Sequence, residues 1–425
     1  MTTTTSIERL IIVVRADPVI CGHSGEARNL AEAAIRRGVG DVRIVTWPLE
    51  TLRRLPLKPY DAVLPYSPGI TVERPKAVGD YKVPDGRFTS ALSGRLVELF
   101  TDGVPSACMS LYLSPHAEVV ADAMEVAKSL PRPVEVTTVA EAVGSDITGV
   151  VRACVESGNF GAAARVFRSY LSADRCVAVS AYTKDVIVEA AEAVDDHWGT
   201  HYAQACRERV TISYPAVDSA AFTDLDDVDI DDALAARGLE RGNYVLFLSR
   251  VAAAKGVDDL IDGFARAGID RSMQLVIAGS GPALDDMRHR AAVSGEADRI
   301  HFFDDVDDAE KPLLMAGAAS FVLPSKPRPE FVETFGIALV EAMLSGGGPV
   351  ITTETGGIPE AVGDTATVIP TGDPTALARA LEHVLVEIDD SEREARVDKA
   401  RAYALQFDRM AIFDNLFGAE RTATI

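Results

Sequence analysis

Short apolar runs alternate with amphipathic helical patterns along most of the chain, in two successive series. This alternation is typical of parallel α/β sheets, because a crossover helix returns the chain to the start of the next strand. The first series comprises Leu10–Val14, Val42–Thr46, Ala62–Pro65, Ser106–Leu111, Val134–Thr138 and Cys176–Ser180. The second comprises Tyr244–Leu248, Leu275–Ala278, Ile300–Phe303, Ser320–Leu323 and Val350–Thr352. The pattern predicts an α/β protein of two facing Rossmann-like domains with a cleft between them.

The domain boundaries follow from length and composition. A chain of 425 residues is too long for one ordinary domain, and the joint is expected near Tyr214-Pro215. We therefore predict domains at residues 1–215 and 216–402, with the aromatic, helical segment 403–425 docking back onto the first. The acidic run Asp224–Asp232 lacks the glycine and the terminal glutamate of a calcium loop, so it is interpreted as a solvated linker and helix start.

The charge balance restricts the possible partners. With 64 acidic and 42 basic residues, the net charge of −22 repels nucleic acid and anionic membranes and attracts cationic small molecules. An acidic surface that serves only solubility is the alternative interpretation. No apolar run approaches the ~18 residues of a membrane span, and the first run is too short for a signal peptide. Five scattered cysteines without a CxxC pair indicate a reduced, cytoplasmic protein.

Glu333 and Glu341 bracket the start of a predicted helix. The unpaired N–H groups and partial positive charge of a helix start suit a diphosphate. Two carboxylates beside such a site can hold the hydroxyl groups of a sugar and of a ribose. The pair therefore predicts a clamp for a nucleotide sugar.

Arg250 and Lys255 directly follow the strand Tyr244–Leu248, where a ligand approaches a parallel sheet. Two cations at this spacing, with a glycine after them, can straddle a diphosphate and stabilise charge on a departing nucleotide. A solvated pair of basic residues is the alternative. Gly279 follows the next strand and permits close backbone approach.

Several of these segments occur together in a recognisable order. The segments are Arg250…Lys255-Gly256, Gly279-Ser280-Gly281-Pro282, Pro324-Ser325, Glu333…Glu341, Gly356-Gly357-Ile358-Pro359-Glu360 and Thr371-Gly372-Asp373-Pro374. Together they resemble the C-terminal half of the retaining glycosyltransferases of the large family 4, which have the GT-B fold. The first half resembles them only loosely, through Gly22…Gly25 and Ala178-Val179-Ser180.

The resemblance implies roles for individual residues. Arg250 and Lys255 would hold the donor diphosphate, Glu341 the ribose, and Glu333 the transferred sugar. The backbone at Phe335, Gly336 and Ile337 would assist Glu333, and the glycines Gly22, Gly25 and Gly279 would line the donor site. Arg250, Lys255 and Glu333 would be the catalytic residues, in a front-face transfer that retains the anomeric configuration. Residues 1–215 would bind the acceptor and residues 216–402 the donor.

The resemblance also implies no metal and no cofactor besides the donor. His197 and His201 are spaced i, i+4, but no glutamate or third ligand accompanies them, so a zinc site is not predicted.

Two stretches, Leu323–Gly336 and Thr137–Asp146, resemble a narrower group. This group attaches N-acetylglucosamine or glucose to 2-deoxystreptamine in aminoglycoside antibiotic biosynthesis. A diaminocyclitol is a cationic acceptor, which agrees with the acidic charge of the chain. Candidate acceptor-binding residues, each alternatively an ordinary polar residue, are His116, Glu26, Asp80, Asp85, Glu141 and Asp146.

One position departs from the family pattern. Many relatives carry a histidine after the strand that corresponds to Val134–Thr138, but this chain has Val139-Ala140-Glu141 there. His116 and His23 are the possible substitutes. Another small-molecule or glycan acceptor, a nucleotide-sugar epimerase, a glycogen-type phosphorylase or a non-catalytic nucleotide-sugar binding protein are the alternatives. A nicotinamide-dependent dehydrogenase is disfavoured, because no GxGxxG follows the first strand. The sequence pattern does not select the nucleotide base or the sugar, and a homo-oligomer is one of the alternatives for the oligomeric state.

Overall fold

The computed structural model describes residues 7–52, 57–59, 63–79, 84–329 and 331–418, with only the backbone described at 84, 85 and 148. The chain forms two compact units. Unit 1 comprises the residues up to Ala216 together with those from Arg409 onward, and unit 2 comprises Val217–Asp408. The sequence placed the second boundary at 402/403, whereas residues 403–408 group with unit 2. Only the part from Arg409 onward groups with unit 1.

All sheet strands run parallel to their neighbours. The strands of unit 1 are β1 Arg9–Val13, β2 Asp41–Val45, β3 Ile70–Glu73, β4 Ser106–Leu111, β5 Val136–Ala142, β6 Arg175–Ala178 and β7 Val210–Ile212. Those of unit 2 are β8 Tyr244–Leu248, β9 Gln274–Ala278, β10 Ile300–Phe303, β11 Ser320–Leu323, β12 Val350–Thr353 and β13 Thr367–Ile369. The spatial orders are β3-β2-β1-β4-β5-β6-β7 and β10-β9-β8-β11-β12-β13. The predicted α/β class with two Rossmann-like sheets is confirmed.

Helices connect the strands and cover both faces of each sheet. Up to Arg209 they are α1 Gly22–Arg36, α2 Leu49–Leu52, α3 Pro84–Phe100, α4 Glu118–Ser129, α5 Arg152–Glu156, α6 Phe160–Leu171, α7 Ala181–Trp198 and α8 Tyr202–Arg209. In unit 2 they are α9 Ala220–Thr223, α10 Asp227–Ala236, α11 Val257–Arg266, α12 Leu284–Val293, α13 Glu310–Gly317, α14 Ile337–Ser345, α15 Ile358–Val362, α16 Pro374–Glu382 and α17 Asp390–Ala404. The final helix, α18 Arg409–Phe417, returns to unit 1.

The core of unit 1 consists of apolar clusters on both faces of its sheet. Successive side chains of β1 point to opposite faces of the sheet. Leu10 and Ile12 belong to the cluster that contains α1 and α18, whereas Ile11 and Val13 belong to the cluster under α3 and α4. Because β1 is covered on both faces, it consists entirely of buried residues, as expected for a central parallel strand.

In unit 2, helix α11 is amphipathic, with one buried face. Its buried residues Val257, Leu260, Ile261 and Phe264 recur every three or four positions and form one face. The acidic run that precedes this part of the chain includes the start of α10, where the carboxylate of Asp226 accepts a hydrogen bond from the N–H of Val228 at 2.8 Å. The predicted helix start is therefore present.

Two strand predictions need correction, and two strands were missed. The third strand is Ile70–Glu73, while Leu64 and Pro65 of the predicted run Ala62–Pro65 are not in a strand and Ala62 lies outside the described residues. The fifth strand extends to Ala142, so Glu141 lies within it rather than after it. The short strands β7 and β13 escaped prediction. No helix among the described residues combines the length and apolar character that crossing a membrane requires.

Candidate functional site

The loops that follow β8 and β9 lie in direct contact. Gly279 has φ +124°, and a Cβ added there would lie 2.2 Å from the carbonyl oxygen of Ser249. The N–H of Val251 donates to the carbonyl of Ser280 at 2.9 Å. The predicted close approach at Gly279 is therefore between two strand-end loops of the protein itself. These loops carry Arg250 and Lys255.

Lys255 reaches the carboxylate of Glu333, 78 residues further along the chain, in an ion pair with Oε2. Only 11% of the lysine side chain and 10% of the glutamate side chain are exposed. The ammonium also lies 5.0 Å from the ring centroid of Phe331, which is within the range of a cation–π interaction. Two residues predicted to bind different parts of one ligand thus contact each other.

The backbone of Glu333 is fixed by the loop after β12. Its carbonyl oxygen accepts a hydrogen bond from the N–H of Gly357 at 2.9 Å. Gly356 has φ +56°, and a Cβ there would lie 1.9 Å from the same oxygen. The glycine pair is therefore needed for the tight packing of this loop against Glu333.

Helix α14 begins at Ile337, directly after Gly336, whose φ is +105°. The N–H groups of its first turn have no partner within the helix, so its start offers donors to an anion. The Phe335 side chain is buried and packs edge-to-face on Phe407, with ring centroids 5.1 Å apart. Phe335 can therefore serve a ligand only through its backbone.

Glu341 lies on α14 and also has a lysine partner. Lys311, on α13, places its ammonium 2.6 Å from Oε1 of Glu341. The same ammonium lies 5.3 Å from the ring centroid of Phe222. No sequence pattern pointed to Lys311, since a single lysine at a helix start is typical of an ordinary surface residue.

Arg250 differs from these lysines. Its residue is exposed, and among the described residues its guanidinium has no hydrogen bond or ion pair. A guanidinium in this condition can bind a phosphate without first leaving a protein partner.

In unit 1, Gly22 and Gly25 lie in the first turn of α1, just after the loop that follows β1. Both are exposed, and a Cβ added at Gly25 would meet nothing within 4 Å. The N–H of Gly25 donates to the carbonyl of Cys21 at 3.4 Å. The turn is open to a ligand but holds no ligand-specific feature of its own.

Among the described residues, Glu26 and Glu141 are deeply buried carboxylates without hydrogen bonds. They are 1% and 0% exposed, and none of their four side-chain oxygens has a hydrogen-bond partner. Val139, two residues before Glu141 on β5 and therefore on the same face, packs in the cluster that includes α1. Burial raises the pKa of Glu141 well above its usual value, and the neighbouring charge of Glu26 raises it further.

Asp146 and His116 are also buried, but their polar atoms are already engaged. Asp146 accepts hydrogen bonds from the backbone N–H groups of Leu113 at 2.8 Å, Gly144 at 2.9 Å and Ile147 at 3.0 Å. Burial raises the pKa of Asp146 despite these bonds. Its carboxylate holds the loop after β5 in place.

Both ring nitrogens of His116 are occupied. Nε2 accepts a hydrogen bond from Nε1 of Trp47 at 2.8 Å, so the proton is on Nδ1, which donates to the carbonyl of Leu111 at 2.5 Å. Burial lowers the pKa of His116 to about 4. The role predicted for His116 in acceptor binding needs correction, because no ring nitrogen is left for an acceptor.

His23 is the other histidine considered for that role. Its Nδ1 lies 3.6 Å from Oε2 of Glu26, and its ring packs edge-to-face on Tyr112 with centroids 4.9 Å apart. Nδ1 is buried without a hydrogen-bond partner. His23 therefore lies within ion-pair distance of Glu26 without a hydrogen bond to it.

Two further candidates have no described side chain. Asp80 lies outside the described residues, and Asp85 is described only by its backbone in α3. No group of three or more potential metal ligands occurs in the part of the chain that the structure describes. His197 stacks on Phe160, with ring centroids 3.9 Å apart.

Part of the chain is similar in sequence to known glycosyltransferases. Residues 230–402, about two fifths of the chain, match the family model "Glycosyl transferases group 1". The D-inositol 3-phosphate glycosyltransferase of Jonesia denitrificans is 31% identical over 230 residues, which cover 49% of this chain and 51% of that protein. The alpha-D-kanosaminyltransferase of Streptomyces kanamyceticus is 31% identical over 189 residues, covering 43% of this chain and 47% of that protein. The matches thus span about half the length of these relatives.

The whole fold also has solved counterparts. The structure of Anabaena HepE in complex with UDP and glucose matches 96% of this chain and 97% of that chain, with a TM-score of 0.68 and 17% identity. At this identity the match concerns the fold, and it agrees with the two parallel-sheet units described above.

Proposed function

We propose that the chain is a retaining glycosyltransferase. Unit 2 binds a nucleoside diphosphate sugar, and unit 1 binds a small acceptor. The observation that carries this proposal is the convergence of Lys255 and Glu333 beside the open start of α14, with the unpaired cation Arg250 on the loop of Lys255. The match of residues 230–402 to group 1 glycosyl transferases supports it.

In the proposed reaction, the bond between the anomeric carbon and the diphosphate oxygen breaks, and a bond to the acceptor hydroxyl oxygen forms on the same face. The hydroxyl proton passes to the leaving diphosphate, which balances the exchange. Arg250, Lys255 and the start of α14 stabilise the charge that grows on the diphosphate. Glu333 holds the sugar and Glu341 the ribose, so neither acts as a nucleophile. No metal is required.

For the acceptor we propose a small cation, with 2-deoxystreptamine as the first candidate and N-acetylglucosamine or glucose from a UDP-sugar as the transferred unit. Glu26 and Glu141 support this choice, because buried carboxylates without hydrogen-bond partners favour an ammonium ligand. The similarity to an alpha-D-kanosaminyltransferase agrees with an aminoglycoside acceptor. The similarity to a D-inositol 3-phosphate glycosyltransferase favours a second candidate, a phosphorylated cyclitol.

The two acceptors differ in charge sign, so one experiment separates them. The chain is incubated with UDP-, GDP- and dTDP-sugars and either 2-deoxystreptamine or D-inositol 3-phosphate, and the products are identified by mass spectrometry. We expect a glycosylated diaminocyclitol whose anomeric proton coupling shows retention. Transfer to the phosphorylated cyclitol alone would reject the cationic acceptor.

Incubation with donor alone tests the other classes of function. An epimerised sugar would identify a nucleotide-sugar epimerase. Calorimetric binding of a donor without turnover toward any acceptor would identify a binding protein.

A further inference from the structure

The pair between Lys255 and Glu333 creates a competition within the donor site. This inference rests on the proposed function, in which Lys255 contacts the diphosphate and Glu333 the sugar. Without ligand, the two side chains neutralise each other in a setting where each is only about one-tenth exposed. A diphosphate that recruits the ammonium draws it away from the carboxylate.

Glu333 can follow a displaced lysine only with its side chain, because its backbone is fixed. Its carbonyl is held by Gly357, and the close packing of Gly356 leaves no room for the backbone to shift toward the loop after β12. A carboxylate that loses its partner at a buried position is costly unless new hydrogen-bond donors replace that partner.

We propose that Glu333 is a specificity-determining residue that selects the intact nucleotide sugar over the free nucleoside diphosphate. The hydroxyl groups of the sugar replace the ammonium at the Glu333 carboxylate, so the intact donor satisfies both members of the pair. A nucleoside diphosphate takes Lys255 and leaves Glu333 without a partner. The ion pair therefore weakens binding of the spent nucleotide relative to the donor.

Glu341 supplies an internal control. It lies in the middle of α14 and is also paired with a lysine, Lys311 of α13, at 2.6 Å. However, the ribose that it is proposed to hold occurs in both the nucleotide sugar and the free nucleotide. Loss of its carboxylate should therefore reduce the affinity for both ligands by similar factors.

The test is calorimetric titration of the full chain with UDP, GDP and dTDP and with the corresponding glucose nucleotides. The base that the wild type binds most tightly is then used for the variants Glu333→Gln, Glu341→Gln, Lys255→Gln and the double variant at positions 255 and 333. We expect Glu333→Gln to bind the free nucleotide ~5- to 10-fold more tightly than the wild type, because Lys255 no longer has a competing partner. The same variant should bind the nucleotide sugar more weakly.

The gain in affinity for the free nucleotide should disappear when Lys255 is already replaced by Gln. Glu341→Gln should reduce the affinities for the free nucleotide and the nucleotide sugar by similar factors. If Glu333→Gln binds the free nucleotide no more tightly than the wild type, the competition is disproved while the proposed function stands. If the wild type binds neither any of the nucleotides nor any of the nucleotide sugars, the proposed function fails, and the competition with it.

Discussion

The buried glutamates of the two units differ in whether a lysine lies beside their carboxylates. In unit 2, Glu333 and Glu341 each have a lysine at ion-pair distance. The lysine neutralises the charge of each carboxylate before a ligand binds. In unit 1, Glu26 and Glu141 are more deeply buried, yet their oxygens have no hydrogen-bond partner.

The difference indicates two ways to prepare a binding site. A paired carboxylate must exchange one partner for another, so its ligand is selected by what it offers in return. An unpaired, buried carboxylate is destabilising until a cation or a proton arrives. The carboxylates of unit 1 are therefore suited to a cationic ligand. Those of unit 2 are suited to a ligand whose hydroxyl groups replace a lysine.

The largest expected effect concerns the paired side. Lys255→Ala should lower kcat/KM for transfer by ~100-fold or more, because it removes a cation from the diphosphate and leaves Glu333 unpaired. Steady-state kinetics with the donor identified above measures this. The matched control is Lys326→Ala, which removes another lysine of unit 2, 12% exposed and paired with Asp258 at 2.8 Å. Equal loss of activity in both variants would contradict a specific role for Lys255.

The next effect tests how firmly Glu333 is held. Gly356→Ala introduces a Cβ at φ +56° that would lie 1.9 Å from the Glu333 carbonyl oxygen, whereas Gly372 has φ +71° with nothing within 4 Å. Gly372→Ala should therefore cost only the backbone strain, ~1 kcal/mol, and Gly356→Ala about 2 kcal/mol more. Thermal unfolding followed by circular dichroism measures both. Similar costs would show that the packing of Gly356 on Glu333 is not tight.

On the unpaired side, Glu141→Gln should stabilise unit 1 as pH rises. In the unfolded chain Glu141 ionises near its usual pKa of 4.5, but in the fold its pKa is raised, so the folded state holds the proton longer. The wild-type free energy of unfolding therefore falls above pH 4.5, by at most ~1.4 kcal/mol per pH unit. At pH 6 the variant should be more stable by about 2 kcal/mol, while use of a cationic acceptor declines.

Both tryptophans, Trp47 and Trp198, belong to unit 1, so tryptophan fluorescence follows the unfolding of that unit. Glu341→Gln, in unit 2, serves as the control and should leave the pH dependence of this signal unchanged. A Glu141→Gln curve parallel to the wild-type curve between pH 4.5 and 6.5 would show that Glu141 is ionised in the fold.

The smallest effect concerns Lys311 as a positioning residue for Glu341. Lys311→Ala should weaken donor binding by ~10-fold through a misplaced carboxylate, and Lys311→Arg should restore most of it. Titration with UDP and with 2′,3′-dideoxy-UDP separates positioning from a general structural loss. The dideoxy nucleotide lacks the hydroxyl groups that Glu341 is proposed to hold, so the variant should bind it as the wild type does.

The sequence predicted the strands that are central and uniformly apolar, such as Tyr244–Leu248, because burial on both faces removes polar residues. It misplaced the third strand, since Ala62–Pro65 is more apolar than Ile70–Glu73, which is at the sheet edge and only partly buried. The three-residue strands β7 and β13 are too short to show a period. Burial pattern, rather than strand propensity, decided which predictions succeeded.

The candidate site was predictable as a set of residue types but not as a set of partners. The lysine at 255 and the glutamate at 333 were both expected at the donor, yet their ion pair depends on the crossing of two loops that no local pattern encodes. The lack of hydrogen bonds at Glu26 and Glu141 was equally unpredictable, because glutamate is rarely buried without such partners. Lys311 was missed for the same reason, since its only signal is the tertiary position of Glu341.

Helix α18 gives the chain an unusual order of assembly. Its residues Ile412, Phe413 and Leu416 complete the cluster against α1, and Asp414 pairs with Arg37 at 2.5 Å. Unit 2 is thus an insertion within unit 1, and the ribosome makes all of Val217–Asp408 before unit 1 receives its final helix. At ~5–20 residues per second, the apolar side of α1 waits about 10–40 s for its cover. Unit 2, being continuous in the chain, can finish folding before unit 1 receives that helix.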